Sequence, residues 1–340
     1  MKILVTGATG YVGHNLAQSL AQRGNQVHVL VRNIASPDIP LHKNIRVFGG
    51  DITDRLSISV AINGCEEVYH TAALVKLFSK DPSLFQKINV EGTRNLLSEA
   101  LENNVKKFLF TSTCGVIGPS LGLPMSETDP RIISFDNDYE FTKHLAEKLV
   151  AEYASKGLFT VIVSLSKVYG PGIETHPVSV NTEIRKIVQG RTVFTPRPGT
   201  LAANYCYIDD VVEGHVLAMT KGVAGEKYIL GGENISYRDL FKKIRSLSAT
   251  RARIIEVPKV FIQLWALAQW IQFKFTGKEP FVTRKAVRQI FCNKIFSCEK
   301  AVRRLGYRVT PIEDGLQQTI QYVKQQHYDE HQILPHNRRQ

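Results

Sequence analysis

The stretch "YEFTK" sets Tyr139 and Lys143 four residues apart, so on a helix the two side chains stand on one face, a turn apart. Moving a proton to or from a substrate oxygen calls for a group that is neutral as an acid yet readily ionised. An unperturbed tyrosine, with a pKa of about 10, is too weak a base at neutral pH. A neighbouring ammonium favours the phenolate and is expected to bring that value down. Solvated Tyr–Lys pairs are also common on helix surfaces, so the surrounding elements must decide between the two readings.

Those elements begin with "KILVTGATGYVGHNL". Ile3 to Val5 reads as a buried parallel strand, and Asn15 to Arg23 as an amphipathic helix stopping at Gly24. Between them Gly7, Gly10 and Gly13 recur every third residue. A glycine-rich strand-to-helix turn lets backbone approach a phosphate, which the first-turn N–H groups and the helix dipole then hold. Thr9, Tyr11 and Val12 belong to the same turn and join the expected contacts. The plainer reading is a turn that needs positive φ.

The next strand ends "VHVLVRN", with Arg32 at its tip, about 20 residues on, where dinucleotide folds meet the adenosine ribose. A carboxylate there would bond the 2′-hydroxyl of NAD, and a guanidinium pairs with the 2′-phosphate of NADP. Arg32 favours NADP, with NAD as the alternative; its plainer role is a solvated strand-end arginine. In "GGDITD", Asp51 is placed to accept from the adenine amino group, next to Ile52, or else to cap a helix that Thr53 or Asp54 could cap instead. In "HTAAL", Ala72 and Ala73 are small enough for a cofactor to lie against them. Four such sites at the ends of successive strands outweigh the plainer reading of any one.

Apolar runs at Val27–Val31, Ile45–Phe48, Glu67–His70, Lys107–Thr111 and Thr160–Ser164 alternate with helical patterns near Leu56–Ile62, Ser83–Asn103 and Glu140–Ala154. That alternation predicts an α/β fold, a doubly wound parallel sheet of Rossmann type, with a smaller, mostly helical C-terminal substrate lobe. The expected division is a dinucleotide-binding domain over 1–170, with a returning segment near 205–232. A substrate lobe takes 171–204 and 233–325, and a basic tail over 326–340 is expected to be disordered. Beyond Gly170, "GPGIETHPVS" reads as a loop and Val180 to Gln189 as a helix.

The chain has 340 residues, 43% hydrophobic and 22% charged, which is ordinary for a globular protein. Its net charge of +12 suits phosphorylated ligands or anionic surfaces. With no basic run interleaved with aromatics, nucleic acid is not an expected partner. The five cysteines are scattered without metal-ligand spacing, which suits a reducing compartment and no metal. The first strand leaves no room for a signal peptide, so a cytoplasmic chain is expected.

Together, "TGATGYVG", "GDITD", "HTAAL", "NVEGTRNLL" and "YEFTK" resemble the extended short-chain dehydrogenase/reductase superfamily, its NAD(P)-dependent epimerase/dehydratase group. Within it, "DPSLFQKINVEGTRNLLSEAL", "GEKYILGGENIS" and "LGYRVTP" most resemble dihydroflavonol reductase-like proteins, and also the hopanoid-associated sugar epimerases. The resemblance runs to about residue 325. It implies that Thr113, in "FLFTSTCGVIG", is the catalytic hydroxyl bonding the substrate oxygen, with Ser112 the neighbouring alternative. It further implies that Lys143 holds the nicotinamide ribose as well as tuning Tyr139. Asn89 would brace the active-site strand ends, or merely make an internal helix hydrogen bond. Val168, in the loop under the nicotinamide, completes the cofactor contacts.

The chain departs from the family pattern in places. Relatives carry Arg or Asn followed by Pro before "VYGPG", where this chain has Ser164 and Leu165. Ser164 offers little to a nucleotide-sugar diphosphate, and the missing proline is expected to loosen the loop. Tyr207 replaces a common histidine, an expected packing change between the lobes. "VFIQLWALAQWIQFKF", Val260 to Phe275, is too short and interrupted for a membrane span. It reads as a helix buried in the lobe, or as an interfacial helix or pocket wall with Lys274, Lys278, Arg284 and Lys285 nearby. Either version points to a greasy substrate, and the second to peripheral membrane contact through 260–275.

The expected activity is hydride transfer between NADP(H) and a ketone or secondary alcohol of a bulky apolar small molecule, flavonoid-, sterol- or terpenoid-like. One alternative is a nucleotide-sugar epimerase/dehydratase with tightly bound NAD. Another is a non-catalytic NADP-binding scaffold, against which the intact Tyr139–Lys143 pair argues. A homodimer is the expected assembly.

Overall fold

A computed structural model describes residues 1–76, 78–173, 179–280 and 282–333. The strands are β1 (Lys2–Thr6), β2 (Gln26–Val31), β3 (Ile45–Gly49), β4 (Glu67–His70), β5 (Lys107–Thr113), β6 (Thr160–Leu165), β7 (Lys167–Tyr169), β8 (Val193–Arg197), β9 (Ala202–Tyr207), β10 (Lys227–Leu230), β11 (Glu233–Ser236) and β12 (Ile254–Pro258). The helices are α1 (Tyr11–Gln22), α2 (Arg55–Ile62), α3 (Ser83–Phe85), α4 (Gly92–Glu102), α5 (Asp138–Ser155), α6 (Val180–Val188), α7 (Ile208–Lys221), α8 (Tyr237–Ser248), α9 (Lys259–Thr276), α10 (Arg284–Ile290), α11 (Glu299–Leu305) and α12 (Ile312–Ile333).

Seven strands form one sheet in the order β10-β6-β5-β4-β1-β2-β3, all neighbours parallel. This is the doubly wound fold. Alternate residues of each strand feed opposite cores, which is why the strands read as unbroken apolar runs. Ile3, Val5, Val27 and Val29 pack with Leu16 and Leu20 of α1 on one side. Leu4, Val68, Phe108 and Phe110 pack with Ile58 of α2, Leu96 of α4 and Val150 of α5 on the other. The strand order reverses between β1 and β4, and at such a switch point the loops part and leave a crevice.

Two further small sheets, β11-β9-β7 and β12-β8, stand among the remaining helices. The helix expected over Ser83–Asn103 is interrupted by a π-helical segment, Gln86–Glu91, between α3 and α4. The tail expected to be disordered from 326 is corrected at its start, because α12 continues to Ile333. Its remainder, 334–340, lies outside the described residues, as does 174–178 of the expected "GPGIETHPVS" loop.

Candidate active site

The glycine turn divides its three glycines by task. Gly7 has φ +79°, and a Cβ there would sit 2.6 Å from the Ala72 nitrogen. A Cβ on Gly13 would strike the Gly7 carbonyl oxygen and lie 2.5 Å from Thr71 Oγ1. Both therefore let the turn close on its own chain. Gly10, the N-cap of α1, would bring its Cβ near only the Gly7 oxygen, at 3.2 Å. Its other surroundings are open, so backbone rather than side chain meets whatever enters.

What it faces is a cleft of about 440 Å³ at the switch point. Gly7, Thr9, Gly10, Tyr11, Val12 and Gly13 form one wall. Arg32, Asp51 with Ile52, and Ala72 with Ala73 enter from the ends of β2, β3 and β4. Arg32 is exposed and makes no ion pair among the described residues. Asp51 accepts from the Thr53 amide at 2.8 Å, and the cap of α2 is Asp54, which accepts from Leu56 at 3.1 Å. The sequence thus anticipates most of this wall.

Asn89 and Val168 do not line the cleft. Asn89 is buried in the π-helical segment, where its Oδ1 accepts from the Leu74 amide at 2.7 Å and its Nδ2 donates to Thr142 Oγ1 at 3.0 Å. It ties the chain beyond β4 to α5, so bracing prevails over an internal helix bond. Val168 lies in β7, opposite Cys206 of β9, and packs on the main core. At the place of the missing proline β6 runs almost directly into β7, which is registered on β9. Ser164 is fully buried with its hydroxyl unpartnered among the described residues. Tyr207 fills the expected packing role, donating to Gln318 at 2.8 Å with its ring 5.7 Å from that of Tyr169.

Beside the cleft, α5 is capped by Asn137, which accepts from the Glu140 amide at 2.7 Å. Thr113 ends β5, its hydroxyl accepts from the Gly115 amide at 3.1 Å, and it stands close enough to the Tyr139 phenol to act on its ionisation. Ser112 instead donates to Glu147 at 2.6 Å, and Glu147 pairs with Lys227, so Ser112 is tied into the framework. Burial, then the Glu140 carboxylate, push the half-buried Tyr139 phenol above its ordinary value, and Thr113 opposes them. Lys143 is only 2% exposed, and burial lowers its ammonium to about 7 against the opposing pull of Glu147. The expected depression of Tyr139 by Lys143 is therefore not found: both groups are desolvated, and each drifts toward its neutral form.

Lys143 Nζ rests 3.8 Å from the Phe110 ring centroid, and no hydrogen-bond acceptor reaches it among the described residues. A buried ammonium without an acceptor is costly. Sugar hydroxyls would satisfy it, and the bare Gly10 backbone and short Ala72 and Ala73 leave room for a pyrophosphate and its nucleosides. The residues fit a nicotinamide dinucleotide.

Sequence reasoning missed Arg131. It donates to Glu140 at 3.2 Å and to the Gly115 carbonyl oxygen, fixing the loop after Thr113 against the residue next to Tyr139. Nothing in the sequence spacing signals it.

A second cavity, about 560 Å³ and mainly apolar, lies in the lobe. Phe261, Ile262 and Trp265 of α9 form one wall, and Lys167, Tyr237 and Lys294 stand in another. Gln289 and Lys294 also line a small pocket that continues to Gly115 and Glu140. The expectation of a buried α9 is corrected: only Ala266 is fully covered, whereas Leu264 is 56% and Phe275 86% exposed. Its glutamines leave no wide apolar stripe, so it packs through a narrow seam. The helix serves as a pocket wall through Phe261, Ile262 and Trp265. Lys167 sits in "SLSKVYGPG", where the departure from the family pattern is in the serine and leucine and nothing in the spacing marks the lysine. Among the described residues no helix is long and apolar enough to cross a membrane.

The sheet order, the glycine turn and the Thr113–Tyr139–Lys143 grouping define an extended short-chain dehydrogenase/reductase. The profile of the NAD dependent epimerase/dehydratase family matches residues 3–231, and the chain belongs to that family. It is an NAD(P)-dependent enzyme of this type. It is 28% identical to the 3-beta-hydroxysteroid dehydrogenase of Mycolicibacterium neoaurum over 90% of this chain and 86% of that one. It is 29% identical to a putative dihydroflavonol 4-reductase of Synechocystis over 95% of both chains. The solved structure of Thermotoga maritima UDP-glucose 4-epimerase with UDP-glucose shares the fold, with a TM-score of 0.81, 24% identity, and 96% and 99% of the two chains covered.

Proposed function

We propose that the chain transfers a hydride between NADP(H) and a ketone or secondary alcohol on a bulky apolar substrate. The observation that carries this reading is the apolar cavity walled by α9, which shares Gln289 and Lys294 with the small pocket beside Gly115 and Glu140. Residues 1–170 with 205–232 bind the dinucleotide, and 171–204 with 233–325 supply the substrate lobe. The names of the steroid dehydrogenase and dihydroflavonol reductase relatives support an apolar, polycyclic substrate.

The dinucleotide, when bound, supplies or accepts the hydride. The Gly10 backbone admits its pyrophosphate, and Arg32 pairs with the 2′-phosphate. Lys143 donates to ribose hydroxyls, which hold it charged next to Tyr139. Thr113 and Tyr139 bond the substrate oxygen, and the Tyr139 phenol gives up its proton as a ketone is reduced. In the opposite direction the phenolate takes that proton back, aided by the Lys143 charge. Asn89 and Arg131 keep α5 and the Thr113 loop in register, as positioning residues.

On α9, Val260, Phe261, Leu264, Trp270, Ile271 and Phe275 are exposed, and so are Lys259 and Lys274 of the helix and Lys278 just beyond it. Apolar side chains beside lysines, on a chain of net charge +12, support peripheral contact with an anionic bilayer. Because Phe261 and Trp265 are both exposed and part of the cavity wall, that contact would set the cavity at the lipid surface.

The test is the identity and lability of the dinucleotide carried by the purified enzyme. Exchangeable NADP(H), with turnover of a hydrophobic ketone, is expected. NAD(H) that survives dialysis, with interconversion of UDP-sugars, would overturn the reading in favour of epimerisation.

A further inference from the structure

The apolar cavity contains two lysines with no carboxylate partner. Register places them together: Lys167 of β7 lies opposite Tyr205 of β9, and Lys294 bridges Ala203, two residues earlier on β9 and therefore on the same face. Lys167 Nζ donates to the Tyr237 hydroxyl at 3.0 Å, and Lys294 Nζ to Gln289 Oε1 at 3.3 Å. Neither forms a salt bridge among the described residues; Glu140, the acid that acts on Lys294, is already engaged by Arg131 and by Gln289 at 3.0 Å.

Like charges held near each other in an apolar chamber oppose folding unless something repays them. Burial, with Lys167 beside it, lowers the Lys294 ammonium. Burial alone would raise the Tyr237 phenol, but the two lysines outweigh it and draw it below its ordinary value. These three groups lack an anion. Gln289 and Lys294 stand where the cavity meets the pocket beside Glu140, so an anion there sits at the end of the chamber nearer Thr113 and Tyr139.

We infer that the substrate is an apolar acid, whose carboxylate is held by Lys167, Lys294 and the Tyr237 hydroxyl while its apolar body fills the cavity walled by α9. This rests on the apolar-substrate reading above and adds the charged group to it. A diphosphate would want the same lysines, but the Phe194, Val257, Phe261 and Trp265 walls suit no sugar or nucleotide beyond it.

Equilibrium binding of lithocholic acid and of its methyl ester, two probes that share one apolar body and differ in charge and a single methyl group, tests the inference. The acid is expected to bind about 10- to 150-fold more tightly, the range of a charge-assisted hydrogen bond. Lys294→Met and Lys167→Met should each erase most of that preference while ester binding persists, which also shows that the variants are folded. Tyr139→Phe should leave the preference intact. Equal affinity for acid and ester, binding of neither, a preference that survives both lysine substitutions, or tighter binding of UDP-glucose would each overturn the assignment. Failure of hydride transfer with an intact acid preference would instead count against the proposed activity alone.

Discussion

Lys143 Nζ lies 3.8 Å from the centroid of the Phe110 ring, and among the described residues no hydrogen-bond acceptor reaches it. The ring stabilises the charge less than water did, so burial leaves the ammonium at about 7. Unfolding returns it to about 10.4. The unfolded chain therefore binds the extra proton between those values, and stability rises with pH across that window. Below about 7 both states are protonated and the cost of burying the charge is complete. Lys143→Met should raise the Tm of the cofactor-free protein, most at pH 7 and below, with the gain shrinking toward pH 10. Thermal melts from pH 6 to pH 10 check this; a gain that is constant with pH would refute it.

Tyr139→Phe removes the proton donor and keeps the ring. Acid–base catalysis contributes about 10²–10⁴-fold, so turnover should fall by that order with dinucleotide affinity unchanged. Lys143→Met should harm both. A Tyr139→Phe enzyme as active as its parent on an established substrate rules the mechanism out.

Gly10→Val is expected to fold, because only the Gly7 oxygen lies near the added Cβ. Its side chain would occupy the cleft, and dinucleotide binding should disappear. Gly13→Val would fail for another reason, a clash with the Gly7 backbone inside the protein. Circular dichroism with cofactor titration separates the two, and an unchanged titration for Gly10→Val contradicts the phosphate role.

Arg32 at the cleft rim gives a discriminating measurement. An arginine–phosphate contact contributes roughly 1.5–3 kcal/mol, or about 10- to 150-fold in affinity. Arg32→Ala should weaken NADP by that factor and NAD little. Equal losses would make NAD the better assignment.

For the outer face of α9, co-sedimentation with phosphatidylglycerol vesicles is expected, and Leu264→Glu with Phe275→Glu should abolish it. Binding unaffected by those charges would exclude this helix as the contact.

The strands and the cleft were legible because a buried parallel strand is a short apolar run and the strand-tip residues follow it directly in sequence. Arg32, Asp51 and Ala72 could be placed by counting. The Tyr139–Lys143 pair was legible for the same reason, a local spacing of one helical turn. The bracing by Asn89 could not be located by counting, because its partners, Leu74 and Thr142, come from distant segments. Lys167, Tyr237 and Lys294 assemble across β7, β9 and the chain beyond α10, and no local pattern announces such a meeting. The phenol's upward shift depends on how much water each side chain keeps, which sequence does not state.

The sheet also constrains how the chain is made. Its outermost strand next to β6 is β10, which the chain reaches only after β7, α6, β8, β9 and α7. A nascent chain paused after residue 170 would present "TVIVSL" as a bare, largely apolar edge, open to pairing with any strand nearby. Synthesis must run to Leu230 before that edge is covered. The dinucleotide half cannot be cut free at its apparent boundary without inheriting a tendency to aggregate.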